Sequence, residues 1–399
     1  MTPHLMKAYN RLDLEAVRGE GAYLFDATGR RYLDFLSGVA VNALGHCHPV
    51  LVDALRRQAE TLWHASNLVR VPDQERLADR LCQASFADAV FFTNSGGEAV
   101  DFALKLVRRY HKSTSQPGRW RVITFDDGFH GRSMAAIAAG GQAKLTQGYE
   151  PVVEGFDRVT FSDMVALRAA IRVDTAAVFL EPIQGEGGVR PFPSEILREI
   201  RAICDEHGLL LVLDEVQTGF GRTGRLFAHE LAGVMPDIVA AAKGIGAGFP
   251  LGAVLAVAKV ADTVIPGSHG STLGGSPLGA AVGNALLDVI LADGFLDGAG
   301  GVPGHVTRMA DRLRQGLEAL VADYPETLEE VRGTGLLLGL KCRVENRTFM
   351  TILREHGLLT APAGHNVVRV LPPLNVEERQ LDEALQILHK ACDGLRIAA

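Results

Sequence analysis

"LLLVLDEVQTGFGRTG", residues 209–224, decides the fold. The run Leu209 to Leu213 is far too short to span a membrane and too uniformly apolar for a strand with one wet face. It fits a strand covered by helices on both sides, as in a parallel sheet. The run stops on two carboxylates, Asp214 and Glu215, and the carboxyl ends of strands are where doubly wound sheets bind their ligands. Just before it, "SEILREIRAICDEHG" (194–208) sets Ile196, Ile200 and Ile203 at helical spacing, with Ser194 as the expected cap and Gly208 as the stop.

The same helix-then-strand alternation continues on either side. "WRVITF" (120–125), "AAVFLEP" (176–182), "DIVAAAK" (237–243) and "GAVLAVA" (252–258) read as buried strands, and "EAVDFALKLVRRY" (98–110) as a helix. Strands are also expected around "GAYLFDATGRRYLDFLSG" (21–38). From Pro277 the pattern changes to longer helices, then "VRGTGLLLGLKC" (331–342), "NVVRVLPPL" (366–374) and a terminal helix. The fold class is therefore α/β. Residues 55–276 are expected to form a large domain around a mainly parallel sheet, and residues 1–54 and 277–399 a smaller α+β domain built from both chain ends.

Composition removes several classes of function. Forty Lys+Arg against 47 Asp+Glu give a net charge of −7 with no long run of one sign, so neither nucleic acid nor a membrane is an expected partner. The five cysteines are scattered and contain no CxxC pair, which argues against a disulfide framework or a thiolate metal site and fits a reducing cytoplasm. No segment has the length and continuity of a signal peptide or membrane span, so a soluble, unexported protein is expected.

A strand ending in Asp-Glu also occurs in nucleotide hydrolases, but those need a GxxxxGK[ST] loop, and this chain has no Gly-Lys dipeptide. A different chemistry follows from Lys243. An amine at the end of an apolar strand is driven toward its neutral form by desolvation, and a neutral amine condenses with an aldehyde. Pyridoxal 5′-phosphate (PLP) needs such a lysine together with a carboxylate against its pyridine nitrogen, a role open to Asp214. "NSGGEAVDFALK" supplies Asn94, Ser95, Gly96 and Gly97 just before a helix, where free amides and the helix dipole attract a phosphate. His46, His48, His130 and His269 lack the spacing of a zinc helix and are read as turn histidines, with no metal expected. Glu181 is read as a turn anchor outside the site.

Eight segments in order, "GHCHP", "NSGGEA", "FHGR", "EPIQGEGG", "LDEVQTGFGRTG", "PDIVAAAKGIGAGFPLG", "GSHGST" and "VVRVLPPL", resemble the class III, or ornithine-type, aminotransferases over essentially the whole chain. The resemblance implies the fold type I architecture of PLP-dependent transferases and a homodimer with shared sites. It implies that Lys243 forms the Schiff base and moves the proton, Asp214 pairs with the pyridine nitrogen, Gln217 bonds the phenolic oxygen and Phe129 stacks on the ring. Ser95, Gly96 and Gly97 would hold the phosphate, joined by Thr272 of the neighbouring subunit.

For substrates, the same resemblance assigns Arg132 to an α-carboxylate, Arg369 to a carboxylate of 2-oxoglutarate with Glu186 as its exchangeable partner, and Ser271 to substrate contact. Val39 stands where ornithine-specific members carry a tyrosine for the free α-amino group. A valine offers no hydrogen bond to an ammonium, which favours N-acetylornithine as donor and an arginine-biosynthetic role. Succinylornithine and N-succinyl-diaminopimelate remain alternative donors, and a noncatalytic PLP-binding regulator remains an alternative of another class. Gly97, Leu273 and Ser276 depart from the family's usual Thr or Ala, Tyr and Asn, leaving the backbone amides more of the phosphate to hold.

Overall fold

The structure, a computed structural model, describes residue 2 and residues 4–398. Its largest sheet has seven strands: β1 (Ala89–Thr93), β2 (Arg121–Phe125), β3 (Phe156–Val159), β4 (Thr175–Leu180), β5 (Leu210–Asp214), β6 (Ile238–Ala241) and β7 (Gly252–Ala256). They lie in the spatial order β1-β7-β6-β5-β4-β2-β3. From β6 to β3 every pairing is parallel, while β7 runs antiparallel to both β6 and β1. The link from β6 to β7, Ala242 to Leu251, is too short for a crossover, so the chain returns in the opposite sense. The expected mainly parallel sheet is present, and six strands end along one edge.

The uniform apolarity of β5 has a simple cause. Leu211 and Leu213 enter the core on one face of the sheet, and Leu210 and Val212 enter the other. Each such side chain contributes about 1.5–3 kcal/mol when fully buried, so neither face tolerates a polar substitution. The preceding helix spans Ser194–His207 and ends on Gly208 in the left-handed conformation, as its sequence implies. Its start differs from expectation. Pro193 holds the cap position and Ser194 is already helical with no capping bond, because the fixed proline φ sets the entry without a side-chain acceptor.

The chain ends meet. Strands Ala16–Glu20, Tyr23–Asp26 and Arg31–Asp34 form a meander whose last strand pairs in parallel with Leu358–Leu359. A second four-stranded sheet joins the hairpin Leu328–Thr334/Leu337–Cys342 to Val367–Val370 and Ala361–Ala363. Among the contacts that tie these pieces together, Leu371 N–H donates to the Phe35 carbonyl (2.8 Å), and the Tyr23 hydroxyl to Glu383 (2.8 Å). The consequence is that Arg369, on the last strand of the C-terminal sheet, approaches the ligand edge of the large sheet. Among the described residues, no helix is long and apolar enough to cross a membrane.

Candidate active site

A cavity of about 400 Å³ opens at the carboxyl edge of the large sheet. Its floor carries Asp214 from β5 and Lys243 from the turn after β6. Ser95, Gly96 and Gly97 follow β1, Phe129 and His130 follow β2, and Glu181 and Glu186 follow β4. Gln217 completes the wall. Volume and lining suit a small organic cofactor rather than a macromolecule.

Asp214 and Glu215 go separate ways. The Asp214 carboxylate lines the cavity, accepting from the Val216 amide (3.1 Å) and from Nδ1 of His130 (2.9 Å). An ionised carboxylate only accepts, so His130 carries its proton on Nδ1. Glu215 is wholly buried on the far side, accepting from Thr218, from the amides of Ala228 and His229, and from the His229 ring. Burial alone would raise its pKa, but the bond and charge of His229, with the other donors, bring it below the usual carboxylate range. One carboxylate therefore serves the cavity and the other folds the loop beyond it.

Lys243 is half-buried, and β6 stops two residues earlier than the sequence pattern implied, at Ala241. Lys243 opens a short 3₁₀ turn with φ at +48°, a conformation that L-residues adopt at a cost and that collects at functional sites. Desolvation, reinforced by the positive charge of Arg369, pulls its amine down to about 8. A substantial fraction is then neutral at physiological pH.

Across the cavity, the helix α1 (Gly96–Ser113) begins with Ser95 as a true cap, its Oγ accepting from the Glu98 amide (3.4 Å). The amides of Gly96 and Gly97 sit in the first turn, where a helix offers no acceptor. A Cβ at Gly96 would come within 2.8 Å of the Val216 side chain, so glycine is what lets the helix start approach the strand carrying Asp214. Gly97 has no such neighbour, and a small side chain there meets only the Ser95 hydroxyl at 4.0 Å. An anion cradle, a desolvated amine and a buried carboxylate thus face one space. These residues fit PLP: the helix start would suit its phosphate, Lys243 its aldehyde and Asp214 its ring nitrogen.

The rim is assembled less completely. Arg369 is almost fully enclosed, donating Nη2 to Glu186 (2.7 Å) and to the Pro362 carbonyl (2.7 Å), while its buried Nη1 has no partner. The Arg369 side chain is 2% exposed and that of Glu186 33%, so Glu186 is the partner with room to leave. Arg132 is exposed, its guanidinium carbon 5.6 Å from the centre of the Phe129 ring. Thr272 is exposed and lies outside the lining of this chain's cavity; Ser271 takes a bond from Asn94 Nδ2 (3.3 Å). Ser276 caps the helix Pro277–Ile290, a task that its serine performs as an asparagine would.

Val39 differs from its expected part. The cavity is lined by Val41, and Val39 instead points its carbonyl at Gln217 Nε2 (3.4 Å). The residues Ser37 to Ala40 make a left-handed turn, with φ between +48° and +64°. The Asp34 carboxylate pins this turn by accepting from the amides of Leu36 (3.1 Å) and Ser37 (2.9 Å), and bonds His46 (2.8 Å).

Two residues were missed by the sequence reading. His130 is no mere turn histidine but the partner of Asp214, and Glu181 lines the cavity while anchoring two loops. Adjacency to Phe129 was a usable signal for the first, and the Glu-Pro ending of β4, parallel to the Asp-Glu ending of β5, for the second.

The chain belongs to the class III aminotransferases, whose family model matches residues 6–392. It is 55% identical to the acetylornithine aminotransferase of Brucella melitensis over 394 residues, 99% of this chain and 96% of that one. It is 54% identical to the acetylornithine aminotransferase of Agrobacterium fabrum, covering 98% and 96%. Among solved structures it resembles the ornithine aminotransferase of Toxoplasma gondii, with a TM-score of 0.94, 30% identity and coverage of 99% and 94%. The N-acetylornithine aminotransferase of Stenotrophomonas maltophilia matches with a TM-score of 0.84, 38% identity and 98% coverage of each chain. Another crystal structure of the Toxoplasma gondii enzyme has partial occupancy of PLP at its active site.

Proposed function

We propose that this protein is a PLP-dependent aminotransferase that moves the terminal amino group of N2-acetyl-L-ornithine to 2-oxoglutarate. The products are N-acetyl-L-glutamate 5-semialdehyde and L-glutamate, a reaction that serves arginine biosynthesis. The observation that carries the reading is the meeting of Lys243, Asp214 and the Ser95–Gly97 amides on one cavity in a class III aminotransferase. Relatives more than half identical that bear the acetylornithine name support the donor.

When bound, PLP supplies an aldehyde that takes up the amino group and a ring that draws electrons away from the reacting carbon. Lys243, neutral in useful amounts near pH 8, holds the aldehyde between turnovers and carries the proton from one side of the transferred nitrogen to the other. Asp214 serves the ring nitrogen, and the bond from His130 Nδ1 holds that carboxylate in place. Gln217, with its amide turned by the Val39 carbonyl, serves the phenolic oxygen, and the Phe129 ring covers one face. Ser95, Gly96 and Gly97 hold the phosphate. A Cβ at Gly185 would fall 1.8 Å from Gln217 Oε1, so glycine there makes room for that amide.

Substrate alternation falls to Glu186 and Arg369. Paired, they present a neutral wall to the acetylated donor; once Glu186 leaves, Arg369 grips a carboxylate of 2-oxoglutarate with its planar fork. Arg132 takes the donor's α-carboxylate, and Ser271 contributes a substrate contact. A second copy of the chain supplies Thr272 to the phosphate, and the exposed Trp63, Leu68 and Leu273 fit that dimer contact. The five unpaired cysteines suit a reducing cytoplasm. Steady-state kinetics with 2-oxoglutarate and either N-acetylornithine or ornithine test the reading. A kcat/KM at least about tenfold higher for the acetylated donor is expected, and a preference for ornithine would reject it.

A further inference from the structure

Glu181 is a buried acid of the cavity wall that the reaction above leaves unused. It follows β4 directly, as Asp214 ends β5, and its two oxygens are engaged by two different loops. Oε1 accepts from the amide of Phe129 (2.9 Å), and Oε2 from the amide of Gly185 (3.2 Å). The first loop carries the ring that covers the cofactor space. The second leads straight into Glu186, whose carboxylate sits on Arg369 and whose carbonyl accepts from Gly364 (2.8 Å).

We propose that Glu181 is a positioning residue: its ionised carboxylate clasps both loops, and its protonation opens the clasp on one side, so its charge sets how firmly Glu186 is held against Arg369. The chemistry is that of the acid itself. A carboxylate offers both oxygens as strong acceptors, whereas in a carboxylic acid one of them becomes a hydroxyl, a donor and a much weaker acceptor, so the amide bonded to it is held less firmly. This inference rests on the aminotransferase reading for its consequence, though not for the clasp itself.

Neutral pH is where the change falls. Burial drives the acid upward, the Asp214 charge pushes the same way, and His130 and the two amides oppose, leaving Glu181 at about 7. The groups facing it are His130 from the loop after β2, Asp214 from the end of β5, Arg190 from the short strand Arg190–Pro191 and Lys243 from the turn after β6. With the clasp closed above about pH 7, Glu186 stays on Arg369 and the dicarboxylate substrate competes poorly. With it open, Glu186 yields more readily.

The test compares wild type with Glu181→Gln, which keeps the size of the side chain and one carbonyl acceptor but has no proton to lose. For the wild-type holoenzyme the KM for 2-oxoglutarate should rise at least about threefold between pH 6 and 8 while the KM for the amino donor stays level. In Glu181→Gln the KM for 2-oxoglutarate should stay near the low-pH value throughout. A wild-type KM for 2-oxoglutarate that is flat across this range overturns the proposal even if the variant does not fold, and a variant that keeps the wild-type slope overturns it as well.

The apoprotein gives a readout independent of turnover. A folded-state pKa raised above the unfolded one stabilises at low pH and loses that stabilisation as pH rises through the folded value. The melting temperature of wild-type apoprotein should therefore fall relative to Glu181→Gln between pH 5 and about pH 7, and parallel melting curves would overturn the proposal. If the melting difference is seen but neither donor nor keto acid is turned over, the aminotransferase reading fails while the ionisation of Glu181 stands.

Discussion

The floor and the rim of the cavity are built on different terms. Asp214 and Lys243 stand at or just past the ends of adjacent buried strands, where the backbone is fixed by pairing on both sides and the cores above and below. Arg132, Glu186, Ser271 and Thr272 sit on loops, exposed or half-exposed, and Thr272 lies outside the lining of its own chain's cavity. In the proposed reaction the rigid floor groups act on the reacting atoms, whereas the rim accepts two different substrates in turn. Precision at the floor and freedom at the rim are both requirements of a two-substrate site.

Substitutions can break or sharpen this contrast. Lys243→Ala removes the amine that holds the aldehyde and carries the proton, so turnover should fall by at least about 10³-fold, read by glutamate formation in a single-turnover assay. Asp214→Asn removes the charge facing the ring nitrogen and the acceptor for His130, and kcat should fall about 10²-fold in the same assay. Arg132→Ala tests the rim. The KM for N-acetylornithine should rise about tenfold or more, the loss of one charge-assisted bond, with the cofactor's absorbance unchanged.

The lysine also predicts a pH dependence. The neutral amine is the reactive form, so cofactor capture by the apoprotein should quicken about tenfold from pH 7 upward and level off above about pH 8, as stopped-flow absorbance would record. A surface lysine would go on rising toward pH 10. Thr272→Ala should have the smallest effect, weakening PLP about twofold to fivefold in an equilibrium titration, because backbone amides carry most of the phosphate.

The same contrast explains what the sequence made legible. β5 was readable because an all-apolar run means cover on both faces, and its last residue then had to sit at the ligand edge. Lys243 was readable for the same reason, although the strand stops at Ala241 and a positive-φ turn does the final placing. His130 was marked only by its place next to Phe129, with no periodic signal of its own, and it is the sheet order, with β4 between β2 and β5, that brings the loop after β2 to Asp214. Val39 was read as a pocket side chain, yet the left-handed turn sends its carbonyl to Gln217 and leaves the lining to Val41. Ser194 looked like a cap until Pro193 took the position. Local patterns specify elements and their ends; which side chain a loop presents depends on turns pinned by residues distant in sequence.

The visible spectrum of the purified holoprotein, taken alone, after N-acetylornithine and again after 2-oxoglutarate, tests the central claim most directly. The account predicts a yellow cofactor band that bleaches with the amino donor and returns with the keto acid. A band that N-acetylornithine leaves unchanged would contradict it.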